Sequence, residues 1–561
     1  MLKAIKAWIG RTESQAAEAP AKAAEPADIA VSAAALKQEA DALFNQGKLD
    51  LAAQRYQAAL VADPGLLRAR CNLGIVLHAL GRADEAAGHL RLAIDGGIAA
   101  LGIPLAHHTL GLLERGAGSH DEACRLFLAA LVISPAHEES ATALCDMAAR
   151  LAESGELARA QALLEQALSS APPAAPAGGH FHHFLGNVLR QKGEANAALG
   201  HYRLALEARP DDPQAHYNLG GLLQDQGELD AAIAHYAIAA AKPGFTEARW
   251  ALALATLLSG DLGKGFQMFE MRLDADGIEG LKGTATVMRT LAGKPRWRGE
   301  DLRGKTLLVW LEHGIGDNLM MMRYLPLLKE RGAQRIHVLG PSFLNRVVDN
   351  SGCVDGIGNQ LDPAAYPAFD YHCSLMSMPA MFGTTLDTIP RNVPYIRPDD
   401  ASVARWRERV QAQDGMKIGL VWSGNPQFQH DYKRSVTLGM LGPLFGVPGT
   451  RFFSLQKGGG PAIAAANLPL TDWIEECGDV YETAALMACM DLVITVDTSM
   501  AHLAGAMGKR VWMMSRFESE WRWMRGREDS PWYPSMRIFP QQAAGEWAPV
   551  VQAMAAALAA E

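Results

Sequence analysis

At 561 residues the chain exceeds what one hydrophobic core covers, so several compact units are expected. A net charge of −9, from 61 acidic and 52 basic residues, argues against nucleic acid or an anionic membrane as the main partner. Seven cysteines, odd in number and without a C-x-x-C pair, suggest neither a zinc site nor a disulfide framework and fit a reducing cytoplasm.

Residues 1–35 form an N-terminal segment and tether. The opening MLKAIKAWIGRTES is short, basic and apolar, without the long apolar run or cleavage site of a secretory signal. It reads either as a frayed helix or as a peripheral contact with the inner membrane of an otherwise cytoplasmic protein. Residues 15–32, rich in Ala, Glu and Pro, read as a flexible tether. No later stretch is long and apolar enough to span a bilayer.

Residues 36–272 carry a repeat. Glycines recur at Gly47, Gly81, Gly118, Gly155, Gly193, Gly227 and Gly260, spaced by 33 to 38 residues. The first six are each followed five residues later by alanine, and Tyr56, Phe127, Tyr202 and Tyr236 lie four residues further on. Prolines at Pro64, Pro135, Pro172, Pro210 and Pro243 close units. This resembles the tetratricopeptide repeat, in which a small residue is expected where two helices cross and proline ends the second helix. About seven stacked units would form an α-solenoid, and SSAPPAAPAGG (Ser169–Gly179) would lengthen one turn. Its concave face suits a protein or peptide partner, and such arrays often self-associate, so a homo-oligomer is open. Asn72 and Asn218 occupy equivalent places on first helices. Their amides either pair with an extended peptide's backbone or bond neighbouring helices. His107, His108, His182, His183 and His216 lack carboxylate partners at ligand spacing and read as surface polar contacts.

Residues 273–304 read as a linker, where Asp274 and Asp276 suggest solvated loop. From Lys305 the periodicity changes. TLLVWLEHGIGDNLMMMRYLPLLKERG (Thr306–Gly332) reads as strand, glycine turn and helix, and RIHVLG follows as a strand, which makes a βαβ unit over 305–400. KIGLVW, RFFSLQ, DLVITV and RVWMM give a second series over 415–561. Two α/β units would then face each other across a cleft, with ligands at the carboxyl ends of the strands. In the loop Glu312–Asp317, Asp317 either serves chemistry or caps the next helix. In Asp497–Gly508, the start of a helix rich in small residues offers a pyrophosphate site.

DTSMAHLAGAMGKRVW resembles the D-T-x-x-x-H-L-A-x-A-x-G-x-P-V signature of glycosyltransferase family 9, the heptosyltransferase-like enzymes. The G-x-G-D turn with Pro326-Leu327-Leu328, and Tyr481–Leu486 with its acidic Glu482, are similar to two further motifs of that family. The resemblance covers about Lys305 to Gln541. It implies a GT-B pair of Rossmann-like domains and inversion at the anomeric carbon of a nucleotide-diphosphate sugar, with no metal or other cofactor. Asp317 would be the general base, its pKa raised by burial or by Glu312. Asp497 would bind donor-sugar hydroxyls, and Thr498 and Ser499 the diphosphate. Lys433 and Arg434 would neutralise the leaving group, with Ser423 beside them. Glu482 would bind ribose or sugar and His502 would line the donor site; Glu312 and His313, the latter with no role assigned by the resemblance, are candidates for acceptor or peptide contact. Ser499 and Arg510 stand where the family usually has glycine and proline. The aromatic, charged segment 521–534 reads either as a ligand face, with Arg527 reaching a phosphate, or as an inter-domain strap.

Three functions fit: a transferase acting on a protein hydroxyl presented by the repeats, the same chemistry on a glycan or lipid-linked saccharide, and a non-catalytic scaffold.

Overall fold

The computed structural model describes residues 32–170, 176–274, 282–359, 366–428 and 431–561. The expected basic segment and tether up to residue 31, residues 171–175 of the lengthened turn, and Asp276 lie outside the described residues. Two compact units divide the chain, residues 1–222 and 223–561.

The first unit is a run of consecutive helices, from Ala33–Asn45 and Leu49–Ala62 through Ala195–Ala208 to Pro213–Gln226, whose last residues enter the second unit. The seven spaced glycines are not the crossing points that the sequence suggested. Each has φ between +77° and +94°, the left-handed turn by which the chain leaves one helix for the next. A second set makes the crossings. A Cβ on Gly74, Gly111 or Gly186 would stand 2.6, 2.7 or 2.7 Å from Leu90, Phe127 or Tyr202 on the paired helix. The repeated alanines Ala52, Ala86, Ala123, Ala160 and Ala198 are fully buried at those interfaces.

Several polar groups in this unit bond neighbouring helices. Asn72 donates to Asp41 at 3.2 Å and to the Tyr56 hydroxyl at 3.3 Å, and Tyr56 donates to Asp41 at 2.5 Å. Asn218 donates to His183 Nε2 at 2.8 Å and to Asn187 at 2.9 Å. Both asparagines therefore bond neighbouring helices, the second of the two readings that the sequence left open. The five histidines are buried rather than on the surface. His108 Nδ1 meets Ser140 Oγ at 3.0 Å, and burial pushes its pKa down to about 3.

In the second unit, helices Leu229–Ala240, Thr246–Leu258 and Leu262–Phe269 precede two all-parallel sheets. The first sheet holds β1 (Thr306–Trp310), β2 (Arg335–Leu339), β3 (Gly356–Gly358) and β4 (Tyr371–Ser374) in the order β3-β2-β1-β4. The second holds β5 (Met416–Val421), β6 (Thr450–Ser454), β7 (Leu470–Asp472), β8 (Leu492–Val496), β9 (Val511–Ser515) and β10 (Met536–Pro540) in the order β10-β9-β8-β5-β6-β7. Inner strands such as β8 and β9 are buried along their whole length, as expected for sheets covered on both faces. The short strands β3, β4, β7 and β10 had no distinct sequence signal. The fold is thus a helical solenoid followed by paired α/β sheets.

Helices Thr246–Leu258 and Leu262–Phe269 belong to the same apolar core as the sheets. Leu257, Leu262, Phe266 and Phe269 share it with Trp297, Leu307, Tyr324 and Trp532. The expected linker contains a further helix, Lys282–Thr290. Among the described residues no helix is long and apolar enough to cross a membrane.

Candidate functional site

Two loops leave the carboxyl ends of central strands, one after β1 and one after β8. The first turns through His313, whose φ of +61° is left-handed and unusual for a side chain of that size. Its ring lies parallel to Trp250 at 6.5 Å and near Phe269 at 5.7 Å, so aromatic packing holds the turn. Burial keeps its pKa below the ordinary histidine value. Helix Ile315–Met321 follows, with Asp317 in its first turn.

Asp317 caps its helix, one of the two readings the sequence allowed, and holds an ion pair that the sequence did not show. Its Oδ2 accepts from the Gly314 amide at 3.3 Å, which caps the helix. Its Oδ1 accepts from Arg522 Nε at 2.7 Å and from Arg522 Nη2. Burial alone would raise the carboxyl pKa, but the Arg522 charge, aided by His313 and His502, outweighs it and the pKa is lowered. This corrects the expected upward shift.

Glu312 cannot supply that shift or reach an acceptor. Its Oε1 accepts from fully buried Arg272, Nε at 3.0 Å and Nη2 at 2.5 Å, and also from Ser374 Oγ. Its Oε2 accepts from Thr284 at 2.5 Å. Burial raises its pKa and Arg272 more than reverses that, so the carboxylate is charged, paired and closed.

After β8, Asp497 is buried and its Oδ1 accepts from Trp523 Nε1 at 2.8 Å. Thr498 caps helix Ser499–Ala506 by accepting from the Met500 amide at 3.3 Å. His502, on the same helix, is buried, stacks on Trp523 at 4.9 Å and meets the Tyr533 hydroxyl at 3.0 Å. Burial, then the Arg522 charge, lower its pKa to about 4, so the ring is neutral near pH 7. A Cβ on Gly316 would lie 2.6 Å from His502 Cδ2 and 3.3 Å from Ser499 Cα. Glycine there lets the two motif helices touch.

Among the remaining expected residues, Arg434 donates to the Asp497 carbonyl at 2.9 Å and to Asp431 at 2.9 Å. Lys433 pairs with Glu518 at 2.9 Å, and the Ser423 amide donates to Gln456 at 3.0 Å. Glu482 accepts from Arg346 at 3.2 Å and Arg405 at 3.0 Å. Because Arg346 lies in the first α/β half, Glu482 links the halves rather than standing open to a ribose. Arg527 donates to Asp529 at 2.6 Å.

Arg522 and Trp523 therefore join Asp317, Asp497 and His502 into one cluster. The segment after β9 is a strap as well as a site wall: Trp521, Trp523 and Trp532 are buried, with Phe266 edge-on to Trp521 at 5.5 Å. Arg323, fully buried, donates to the Trp532 carbonyl at 2.9 Å and stacks on Tyr533 at 5.0 Å. Arg272 and Arg323 were missed as site-forming residues, while Arg522 and Trp523 were singled out only as part of the segment 521–534. The only signal was the density of arginine and tryptophan in 521–527.

Comparison with known proteins agrees with this division. Tetratricopeptide-repeat models match residues 37–100, 102–172 and 186–227, and the model "Glycosyltransferase family 9 (heptosyltransferase)" matches residues 478–514. Protein FlbA of Caulobacter vibrioides is 28% identical over 520 residues, 87% of this chain and 84% of that protein. A family 9 glycosyl transferase structure from Veillonella parvula is 10% identical, with a TM-score of 0.34 over 46% of this chain and 91% of that one. The MamA structure is 16% identical, with a TM-score of 0.22 over 36% of this chain and 92% of that one. The chain thus carries a tetratricopeptide-repeat array followed by a glycosyltransferase family 9 segment set in paired parallel α/β sheets.

Proposed function

We propose that the second unit is an inverting glycosyltransferase that moves a sugar from a nucleotide diphosphate to an acceptor hydroxyl. The observation that carries this reading is the Asp317–Arg522 pair beside Asp497 and a capped helix N-terminus. In that reading the acceptor O–H gives its proton to Asp317 and the oxygen attacks the anomeric carbon. The bond from that carbon to the phosphate oxygen breaks, and its electron pair leaves with the nucleotide. Arg522 has two roles in sequence. Paired with Asp317 it holds the carboxylate deprotonated but a weak base. Drawn instead to the incoming diphosphate, it leaves the buried Asp317 to rise in basicity. Arg434, held on the Asp497 carbonyl, adds positive charge beside the same helix.

The helical array supports an acceptor that is a protein, since repeat arrays hold polypeptides. One observation favours a glycan acceptor as the second reading: Asn72 and Asn218 are bonded internally and leave no amide ladder for a peptide backbone.

The first test is thermal stabilisation against a panel of nucleotide-diphosphate sugars, with Asp497→Ala as control. A ligand at 100 times its Kd contributes about 2.7 kcal/mol. A shift with one donor class that is absent in the variant supports the transferase. Asp317→Asn should keep that shift and lose turnover by about 10²–10⁴-fold. No shift with any donor moves the reading to a scaffold.

A further inference from the structure

The segments that follow β9 and β10 border a cavity of about 210 Å³, smaller than the sites that take drug-sized ligands. Arg516, Phe517, Arg525, Arg527, Ile538 and Gln542 are among its walls, and no aspartate or glutamate among the described residues lines it. All of its lining residues fall between 515 and 542, so none belongs to the Asp497–Gly508 loop.

Three guanidiniums stand at this one small space, and the carboxylates paired with them leave one without a partner. Glu520 is divided between Arg516 at 2.5 Å and Arg522 at 3.2 Å, and Asp529 is taken by Arg527 at 2.6 Å. Glu518, beside Phe517, goes to Lys433 at 2.9 Å. The Arg525 side chain makes no hydrogen bond or ion pair among the described residues; it lies on the Phe517 ring at 4.6 Å and beside the Gly227 turn. Arg516 Nε and Arg527 Nε are closed off without a partner, but no nitrogen of Arg525 is. A guanidinium with open donors presents a planar fork to an oxyanion. The backbone leading to it is strained. Ser519 and Met524 are left-handed, with φ of +51° and +59°, and the Ser519 hydroxyl donates to the Met524 carbonyl at 2.6 Å.

We propose that this cavity binds a small phosphoryl anion, separate from the diphosphate position given to Thr498 and Ser499. Its oxygens meet the outer guanidinium nitrogens of Arg525 and Arg527, and Arg516 adds charge behind them. Three guanidiniums about one small space favour a doubly charged group over a single carboxylate. The phosphoryl group is either inorganic or carried on a small ester. The inference does not rest on the transferase reading.

The experiment is calorimetry on the full chain at constant ionic strength, wild type against Arg525→Gln and Arg527→Gln. Tryptophan-monitored melts check the fold of both variants, and each stands in for the other if one fails to fold. The probes are inorganic phosphate, inorganic diphosphate and glucose 1-phosphate, with acetate and glucose as controls. UDP, GDP and ADP report on the diphosphate position. Each variant should bind the phosphoryl probes about tenfold or more weakly and any nucleoside diphosphate unchanged. Tighter binding of the inorganic ions than of glucose 1-phosphate identifies an inorganic ligand, and the reverse order identifies an ester. The assignment is overturned if the wild type binds no phosphoryl probe, if both variants bind them as the wild type does, or if acetate binds as tightly as phosphate. It is also overturned if the variants lose a nucleoside diphosphate by the same factor, because the cavity would then be part of the donor site. Phosphoryl binding that falls in the variants, with no nucleoside diphosphate bound by any form, would keep the cavity assignment and count against the transferase reading.

Discussion

The two units bury polar groups in opposite ways. In the first, the paired groups meet a helix close in sequence: Asn72 with Asp41 and Tyr56, His108 with Ser140. In the second, the partners are far apart along the chain: Arg272 with Glu312 and Ser377, Asp317 with Arg522, Arg323 with Trp532. A stack of repeats gains its stability from neighbours and should give way locally. A unit tied by distant charged pairs should hold or fail as a whole, and a single lost partner is costly there.

The comparison is open to direct attack because every tryptophan except Trp8 lies after residue 222. Tryptophan fluorescence therefore follows the second unit, while far-ultraviolet circular dichroism is weighted toward the helices of the first. The largest effect is expected from Arg272→Met, which strands the Glu312 carboxylate in a closed site. It should destabilise the second unit by about 3–5 kcal/mol in a denaturant melt. A fluorescence midpoint that does not move would contradict the pairing.

Next in size is acid. A histidine whose folded pKa is lowered from 6.5 to about 4, as His502 is, binds its proton more readily when unfolded. Stability is therefore full above pH 6.5 and is lost as pH falls toward 4, by about 3 kcal/mol at most. His502→Phe should flatten that slope in fluorescence, and His108→Phe should flatten it in circular dichroism. An unchanged slope in either variant would remove that histidine from the account.

Gly316→Ala is expected to cost about 1–3 kcal/mol, because its Cβ meets the His502 ring and the Ser499 backbone. Gly74→Ala should cost less, since its Cβ meets chiefly the end of the Leu90 side chain, which can give way. The order of these two midpoint shifts sharpens the contrast, and a reversal would break it. The smallest change is Asn72→Ala, at about 1 kcal/mol and confined to the dichroism signal.

Local chemistry was legible in the sequence and distant chemistry was not. The repeat spacing, the strands β1, β2, β5, β6, β8 and β9, and the turns carrying Asp317 and Asp497 all announce themselves within a few residues. The role of the spaced glycines was misplaced because a turn glycine and a crossing glycine look alike in a repeat. Only φ, or the nearness of Phe127 to Gly111, separates them. Arg522 was illegible as a partner of Asp317 because no pattern in one chain links positions so far apart. Glu312 looked available for the same reason: Arg272, which closes it, reads as the end of the repeats. Asn72 and Asn218 sit where a groove residue would, and only their hydrogen bonds assign them inward.

Arg522 and Trp523 are consecutive residues, yet one holds Asp317 from the first α/β half and the other holds Asp497 from the second. Their anchors are thus on a single length of backbone, and the peptide bond between them acts as a mechanical linkage. A variant at either residue is therefore expected to alter the surroundings of both acids, readable as a change in Trp523 fluorescence in Arg522→Lys.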